Sequence, residues 1–150
     1  MLEEGTTAPS FALPNQDGET VRLADFEGRR VVLYFYPRAD TPGCTREAEG
    51  FRDSYDRFRD LDAIVLGISN DPVDDLEAFH QKHDLPFDLL SDDDGEVARA
   101  YESYGTVEMG GDEHEIAFRN TYGIGPDGEI EHAYEGVDPD GHADEVLEAL

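Results

Sequence analysis

The chain has 150 residues but only one cysteine, Cys44, one lysine, Lys82, and no tryptophan. A lone cysteine cannot form an internal disulfide framework, and this usage fits a reducing cytosol. No apolar run approaches the roughly 18 residues that a spanning helix needs, so no membrane segment is expected. The opening Met1-Leu2-Glu3-Glu4 lacks a basic n-region and an apolar h-region. No secretory signal is therefore expected, and the expected location is cytoplasmic. His80 and His83 stand one helical turn apart, but there is no HExxH and no CxxC to complete a zinc site. The acidic turns at Asp92–Gly95 and Asp138–Gly141 miss the spacing of a calcium loop, so they read as solvated turns. No glycine-rich phosphate loop is present. Metal: none, and cofactor: none, are the expectations.

Bases are scarce. Eleven Lys and Arg face 37 Asp and Glu, giving a formal net charge of −26. Binding to nucleic acid needs Lys and Arg to displace counterions, so that class is excluded. High charge with low hydropathy is also a signature of disorder. Here the acids interleave with regular apolar periods, which argues for a folded chain. Acid-rich, lysine-poor surfaces are typical of proteins from salt-accumulating halophiles, and a halophilic source is expected. In molar salt the screening length falls to about 3 Å, which makes the self-repulsion tolerable. Residues 38–59 depart from this balance, with five arginines against five acids. Ordinary i,i+4 pairing on an exposed helix explains that, as does a surface that spares a nearby anion from repulsion.

The length fits one domain, expected over residues 1–150. Val31 to Tyr36 is six consecutive β-branched, aliphatic or aromatic residues, the pattern of a strand buried on both faces. Pro37 ends it, and Pro42-Gly43 signals a turn. Ala48, Phe51, Tyr55 and Phe58 then recur at helical spacing. Ala63–Ser69 is a second buried strand, so residues 31–69 form a βαβ unit. Phe11–Leu13 and Val21–Leu23 flank Asp17-Gly18 as an N-terminal hairpin. Asn70-Asp71-Pro72 is expected to cap a helix carrying Val73, Leu76, Phe79 and His83 on one face. Residues 85–90 read as a third strand, followed by a short helix to Tyr101. Residues 104–114 are glycine-rich and aperiodic. Residues 115–122 and 129–134 flank Pro126-Asp127-Gly128 as an antiparallel hairpin, and Ala143, Val146, Leu147 and Leu150 mark a last helix. The expected fold is α/β and thioredoxin-like, a central mixed sheet flanked by helices with an N-terminal hairpin extension.

Cys44 falls in the first turn of the helix that leaves the C-terminal edge of the central strand, where open α/β sheets place ligands. A free thiol with pKa near 8.5 is only about 3% thiolate at neutral pH, and the thiolate is the nucleophile. The helix start, Arg38 and Arg46 are expected to favour the anion. Full ionisation gains at most about thirty-fold, or about 2 kcal/mol, so further donors aimed at developing charge are required. Thr41 lies three residues upstream on the same turn. The bland alternatives are a buried cysteine acting as a small hydrophobe, a Thr41 cap, an exposed strand arginine at Arg119 and a first-turn acid at Glu47.

Pro37-x-x-x-Thr41-x-x-Cys44 with Glu47 resembles the active-site motif of the peroxiredoxins, and Tyr36-Pro37-x-x-x-Thr41-Pro42-Gly43-Cys44-Thr45 resembles their bacterioferritin-comigratory (Q-type) subgroup. Gly5-x-x-Ala8-Pro9-x-Phe11-x-Leu13 and Arg119–Gly128 resemble the family's opening segment and its arginine-bearing strand and hairpin. The resemblance implies a thiol peroxidase acting on hydrogen peroxide or small organic hydroperoxides. It implies that Cys44 attacks the O–O bond, Thr41 hydrogen-bonds peroxide and sulfur, Pro37 shields the sulfur, Arg119 polarises the peroxide and Glu47 orients Arg119. The subgroup often has a resolving cysteine five residues after the first. Here Glu49 occupies that position, so an external thiol must reduce the sulfenic acid: a thioredoxin- or glutaredoxin-like protein, a low-molecular-weight thiol, or a second copy of Cys44. Monomer and homodimer are both compatible with this fold. The rival classes are a peroxide sensor, which would lack repeated turnover, and a non-catalytic thioredoxin-fold binding module with a slow thiol.

Overall fold

The computed structural model describes residues 2–39 and 41–150, and the side chains of all of these but 107–109 and 114. Strand β3 (Arg30–Phe35) occupies the middle of a five-stranded sheet of order β5-β4-β3-β8-β9. β4 (Ala63–Ser69) and β5 (Asp88–Ser91) run parallel to it, β8 (Thr121–Ile124) runs antiparallel, and β9 (Ile130–Tyr134), antiparallel to β8, returns to the direction of β3. The sheet is therefore mixed, as the thioredoxin-like expectation required.

Strand periodicity divides the core between the two faces. Val32, Tyr34 and Tyr36 point into one cluster with Phe51, Phe58, Leu76, Phe79 and Val146. Those last five come from α1 (Pro42–Asp53), α2 (Tyr55–Asp60), α3 (Val73–Lys82) and α5 (His142–Ala149). Val31, Leu33 and Phe35 point into the other, with Tyr101, Tyr122 and Ile124. Gly67 of β4 lets the sheet carry Tyr34, since a Cβ there would lie 2.8 Å from the tyrosine ring.

The N-terminal hairpin, β1 (Ala12–Pro14) and β2 (Thr20–Arg22), forms as expected and is a separate two-stranded sheet. Its turn docks on the outer strand β5. The Gln16 amide oxygen accepts from the Leu89 N–H at 3.0 Å, and its Nε2 donates to Asp88 Oδ1 at 3.1 Å.

Several boundaries differ from the sequence expectation. The helix begun at Pro42 breaks at Ser54, φ −102° and ψ 4°, into α1 and α2. The third strand starts at Asp88 rather than Leu85. Asn70 and Asp71 place no side-chain cap on α3, whose N-cap is Pro72. Asp92 does that service for α4 (Glu96–Ala100), accepting from the N–H groups of Val97 and Ala98. Residues 104–114 are not irregular: β6 (Tyr104–Met109) and β7 (Asp112–Ala117) form a hairpin. Gly110 and Gly111 turn it with φ of 61° and 88°, the left-handed pair a two-residue hairpin loop requires. The strand expected over 115–122 is thereby two strands, β7 and β8, with Phe118-Arg119-Asn120 as a bend between them.

Candidate active site

Pro37 ends β3's segment at the sheet's C-terminal edge, and seven residues later Cys44 lies in the first turn of α1. Its thiol is free and the residue is 1% exposed. Pro42 at the first helical position gives up one of the N–H groups that a helix start leaves unpaired.

The cation on the sulfur comes from far along the chain. Arg119 Nη2 donates to Cys44 Sγ at 3.2 Å, and Arg119 Nη1 donates to Glu47 Oε1 at 2.8 Å. Such charge-assisted bonds are about twice as strong as neutral ones. Glu47 is 1% exposed, on the same helix face as the thiol one turn further on. Burial pushes its carboxyl up to about 7, against the opposing pull of the guanidinium. Arg119 in turn is raised above its usual value by the sulfur and Glu47, which outweigh the cost of its own burial. Gly43 makes room for this approach, because a Cβ there would stand 3.2 Å from Arg119 Nη2.

The two neighbouring arginines expected to favour the anion do not touch it. Arg46 turns outward to Asp140 Oδ1 at 2.8 Å, and Arg38 is exposed. Among the described residues, the guanidinium hydrogen-bonded to the sulfur is that of Arg119. Thr41 occupies the N-cap position of α1, yet its hydroxyl makes no capping bond and donates instead to the Arg38 carbonyl at 2.8 Å. Its oxygen retains acceptor capacity. Pro37 is half-buried and stands between two surface recesses.

Three positioning groups escaped the sequence reading. Asp71 Oδ2 accepts from the Ala39 N–H at 2.6 Å and from Ser69 Oγ at 2.8 Å, tying the loop before Cys44 to the end of β4. Asn120, 2% exposed, donates from Nδ2 to Ser103 Oγ at 3.0 Å and accepts at Oδ1 from the Gly136 N–H at 2.9 Å. Its carbonyl also accepts from the Phe35 N–H at 2.8 Å, and Arg119 O accepts from the Val137 N–H at 2.9 Å. These bonds fix the bend that aims Arg119. Gly43 is the third, legible before only as a turn residue. Burial holds the Tyr34 and Tyr36 hydroxyls far above their ordinary pKa.

A buried thiol in the first turn after the central strand of a thioredoxin-like sheet, with a guanidinium on its sulfur, defines the peroxide-reducing class of this fold. The comparisons agree. The chain belongs to the AhpC/TSA family, which it matches over residues 5–133, and is a peroxiredoxin, a thiol peroxidase, of the Bcp/PrxQ group. It is 43% identical to the peroxiredoxin Bcp of Escherichia coli strain K12 over 149 residues, covering 99% of this chain and 96% of the relative. The crystal structure of peroxidoxin BcpB from Mycobacterium tuberculosis superposes with a TM-score of 0.89 at 34% identity, covering 99% and 96% of the two chains. The bacterioferritin comigratory protein of Xanthomonas campestris, described for its alkyl peroxide reduction activity, gives 0.87 at 33% identity, covering 93% and 88%. Among the described residues, no helix is long and apolar enough to cross a membrane.

Proposed function

We propose that this chain reduces hydrogen peroxide and small organic hydroperoxides with Cys44 alone as its redox group. The Cys44 thiolate attacks the terminal oxygen of ROOH. An S–O bond forms as the O–O bond breaks, the electron pair leaves with RO⁻, and a proton from solvent completes ROH. Sulfur is oxidised to sulfenic acid. Two external thiols then regenerate Cys44, releasing their disulfide and water. The reductant is a redoxin protein or a low-molecular-weight thiol, because position 49 is Glu49 and the chain has no second cysteine.

Arg119 stabilises the anion and the charge that builds as the O–O bond breaks. Glu47 orients Arg119. Thr41 and Pro37 take the parts given them by the family motif, Thr41 holding the peroxide and Pro37 screening the sulfur. The observation that carries this reading is the 3.2 Å contact between Arg119 Nη2 and Cys44 Sγ.

The test is turnover counting. Purified protein without thiol is expected to consume one peroxide per chain and stop. Added thioredoxin or dithiothreitol restores steady turnover. Cys44→Ser is expected to abolish both phases, while Cys44→Ala keeps the far-UV spectrum of the parent. Continued turnover without thiol, or full activity in Cys44→Ser, overturns the proposal.

A further inference from the structure

His142 is a buried titratable group that the peroxide chemistry leaves unused. It is 2% exposed and occupies the first position of α5. Its Nε2 lies 2.8 Å from Thr121 Oγ1, and its Nδ1 lies 3.1 Å from Glu145 Oε1. An ionised carboxylate only accepts, so Nδ1 carries a hydrogen. In the neutral ring Nε2 therefore accepts from the Thr121 hydroxyl.

Both segments that carry the reacting pair meet this ring. Thr121 opens β8, two residues after Arg119, and is fully buried. On another side the ring stands edge-on to Phe51, with centroids 5.7 Å apart and planes at 86°. Phe51 lies two turns beyond Cys44 on the same buried face of α1. The segment leading into α5 spans the same pair. The Gly136 and Val137 N–H groups donate to Asn120 Oδ1 and the Arg119 carbonyl, both at 2.9 Å. Asp140 then meets Arg46 of α1, and Pro139 Cγ stands 3.6 Å from where a Cβ on Gly43 would be.

We propose that His142 is a positioning residue that keeps the Arg119 guanidinium on the Cys44 sulfur, and that a proton taken up by its ring loosens this contact and slows peroxide reduction. The proposal rests on the peroxidase reading above. A second ring proton turns Nε2 into a donor against Thr121 Oγ1. The hydroxyl must then reverse, and its hydrogen needs a new acceptor in a place closed to water. The imidazolium also repels Arg119 and sits at the positive end of α5's own dipole. Glu145 on α5 favours the cation, but its side chain is 60% exposed, so water screens the attraction. β9 adds the Tyr134 ring and α1 the Phe51 ring, both uncharged. Burial first, then Arg119, hold the ring's pKa below 6.5 against the pull of Glu145. The neutral ring thus prevails at pH 7, and the proton arrives only in acid.

The experiment measures Cys44 oxidation by hydrogen peroxide alone, so no reductant enters. The protein lacks tryptophan, so quenched-flow mixing followed by alkylation and mass measurement counts the surviving thiol. At pH 7.5, His142→Leu is expected to lower the rate about ten-fold, as a displaced guanidinium would. His142→Gln, whose amide oxygen can still accept from Thr121, is expected to recover it to within about two-fold of the parent. Thr121→Val is expected to slow the reaction, and the double variant Thr121→Val with His142→Leu to be no slower than His142→Leu. Cys44 and Glu47 titrate in the parent and in His142→Gln alike, so the ratio of those two rates isolates the ring. That ratio is expected to fall at least about three-fold between pH 7.5 and pH 5. A flat ratio overturns the proton's part. A lowered urea midpoint in His142→Leu with an unchanged peroxide rate, or additive losses in the double variant, overturns the positioning role. Failure of the parent protein to be oxidised by hydrogen peroxide would instead sink the peroxidase reading beneath it.

Discussion

Glu47 is kept at a cost, because its carboxyl has been taken out of water to hold one guanidinium. Its folded pKa is raised from 4.5 to about 7. The folded state therefore holds this proton more tightly than the unfolded chain does. The stability it contributes is fully present below pH 4.5 and is lost as pH rises towards 7. Glu47→Gln is expected to flatten that part of the pH dependence, read as the difference between variant and parent in urea midpoint at pH 5 and pH 7. The same variant is expected to slow Cys44 oxidation, because Arg119 Nη1 loses its charged acceptor. Thr41 presents the opposite balance. Its hydroxyl makes no capping bond to α1, so Thr41→Val is expected to shift stability by no more than about 1 kcal/mol in urea unfolding. Peroxide rates in that variant are expected to fall at least about ten-fold, by the same quenched-flow assay, if its oxygen meets the peroxide. Full activity in Thr41→Val would assign the hydroxyl to the Arg38 turn alone.

Elements with one strong periodic signal were legible in the sequence. The six-residue apolar run became β3, the next became β4, and the Pro-Gly turn placed Cys44 in the first turn of α1. Arg119 was found through its resemblance to a motif, while its local structure was misread. Residues 115–122 contain no glycine or proline to interrupt them and read as one strand, and nothing local says that Asn120 has partners on three other segments. That information is carried by Ser103, Gly136 and Phe35, none near it in sequence. By contrast, Gly110-Gly111 was an available hairpin signal, obscured by the polar residues around it. Asn120→Ala leaves Ser103 Oγ and the Gly136 N–H without this partner. It is expected to lower stability by about 1–3 kcal/mol and to reduce the rate with hydrogen peroxide. Asn120→Asp, which keeps the acceptor for Gly136, is expected to recover part of that rate. A structural role alone would move the unfolding midpoint and leave the peroxide rate of the folded protein unchanged. In β4, Gly67→Ala crowds Tyr34 and Leu89, at 2.8 and 3.0 Å from the new Cβ. It is expected to cost about 1–3 kcal/mol in denaturant unfolding.

At the scale of the whole molecule, 37 acids stand against 11 bases, most of them on the surface. Many of the arginines sit in exposed ion pairs, as Arg29 does with Asp62 and Arg46 with Asp140. Such pairs contribute little each, and the uncompensated charge repels. The melting temperature is therefore expected to rise between 0.1 M and 2 M KCl, measured by circular dichroism, since screening weakens that repulsion more than it weakens the pairs. A fall over the same range would mean that attractive surface contacts dominate. The 1% exposure of Cys44 has a kinetic consequence at this scale too. Under the external-thiol cycle a bulky reductant cannot meet a sulfur packed that deeply, so recycling has to wait for the helix start to fray. Protein redoxins would then all share one ceiling rate, equal to the opening frequency reported by amide exchange at residues 43–46, however reactive each redoxin is.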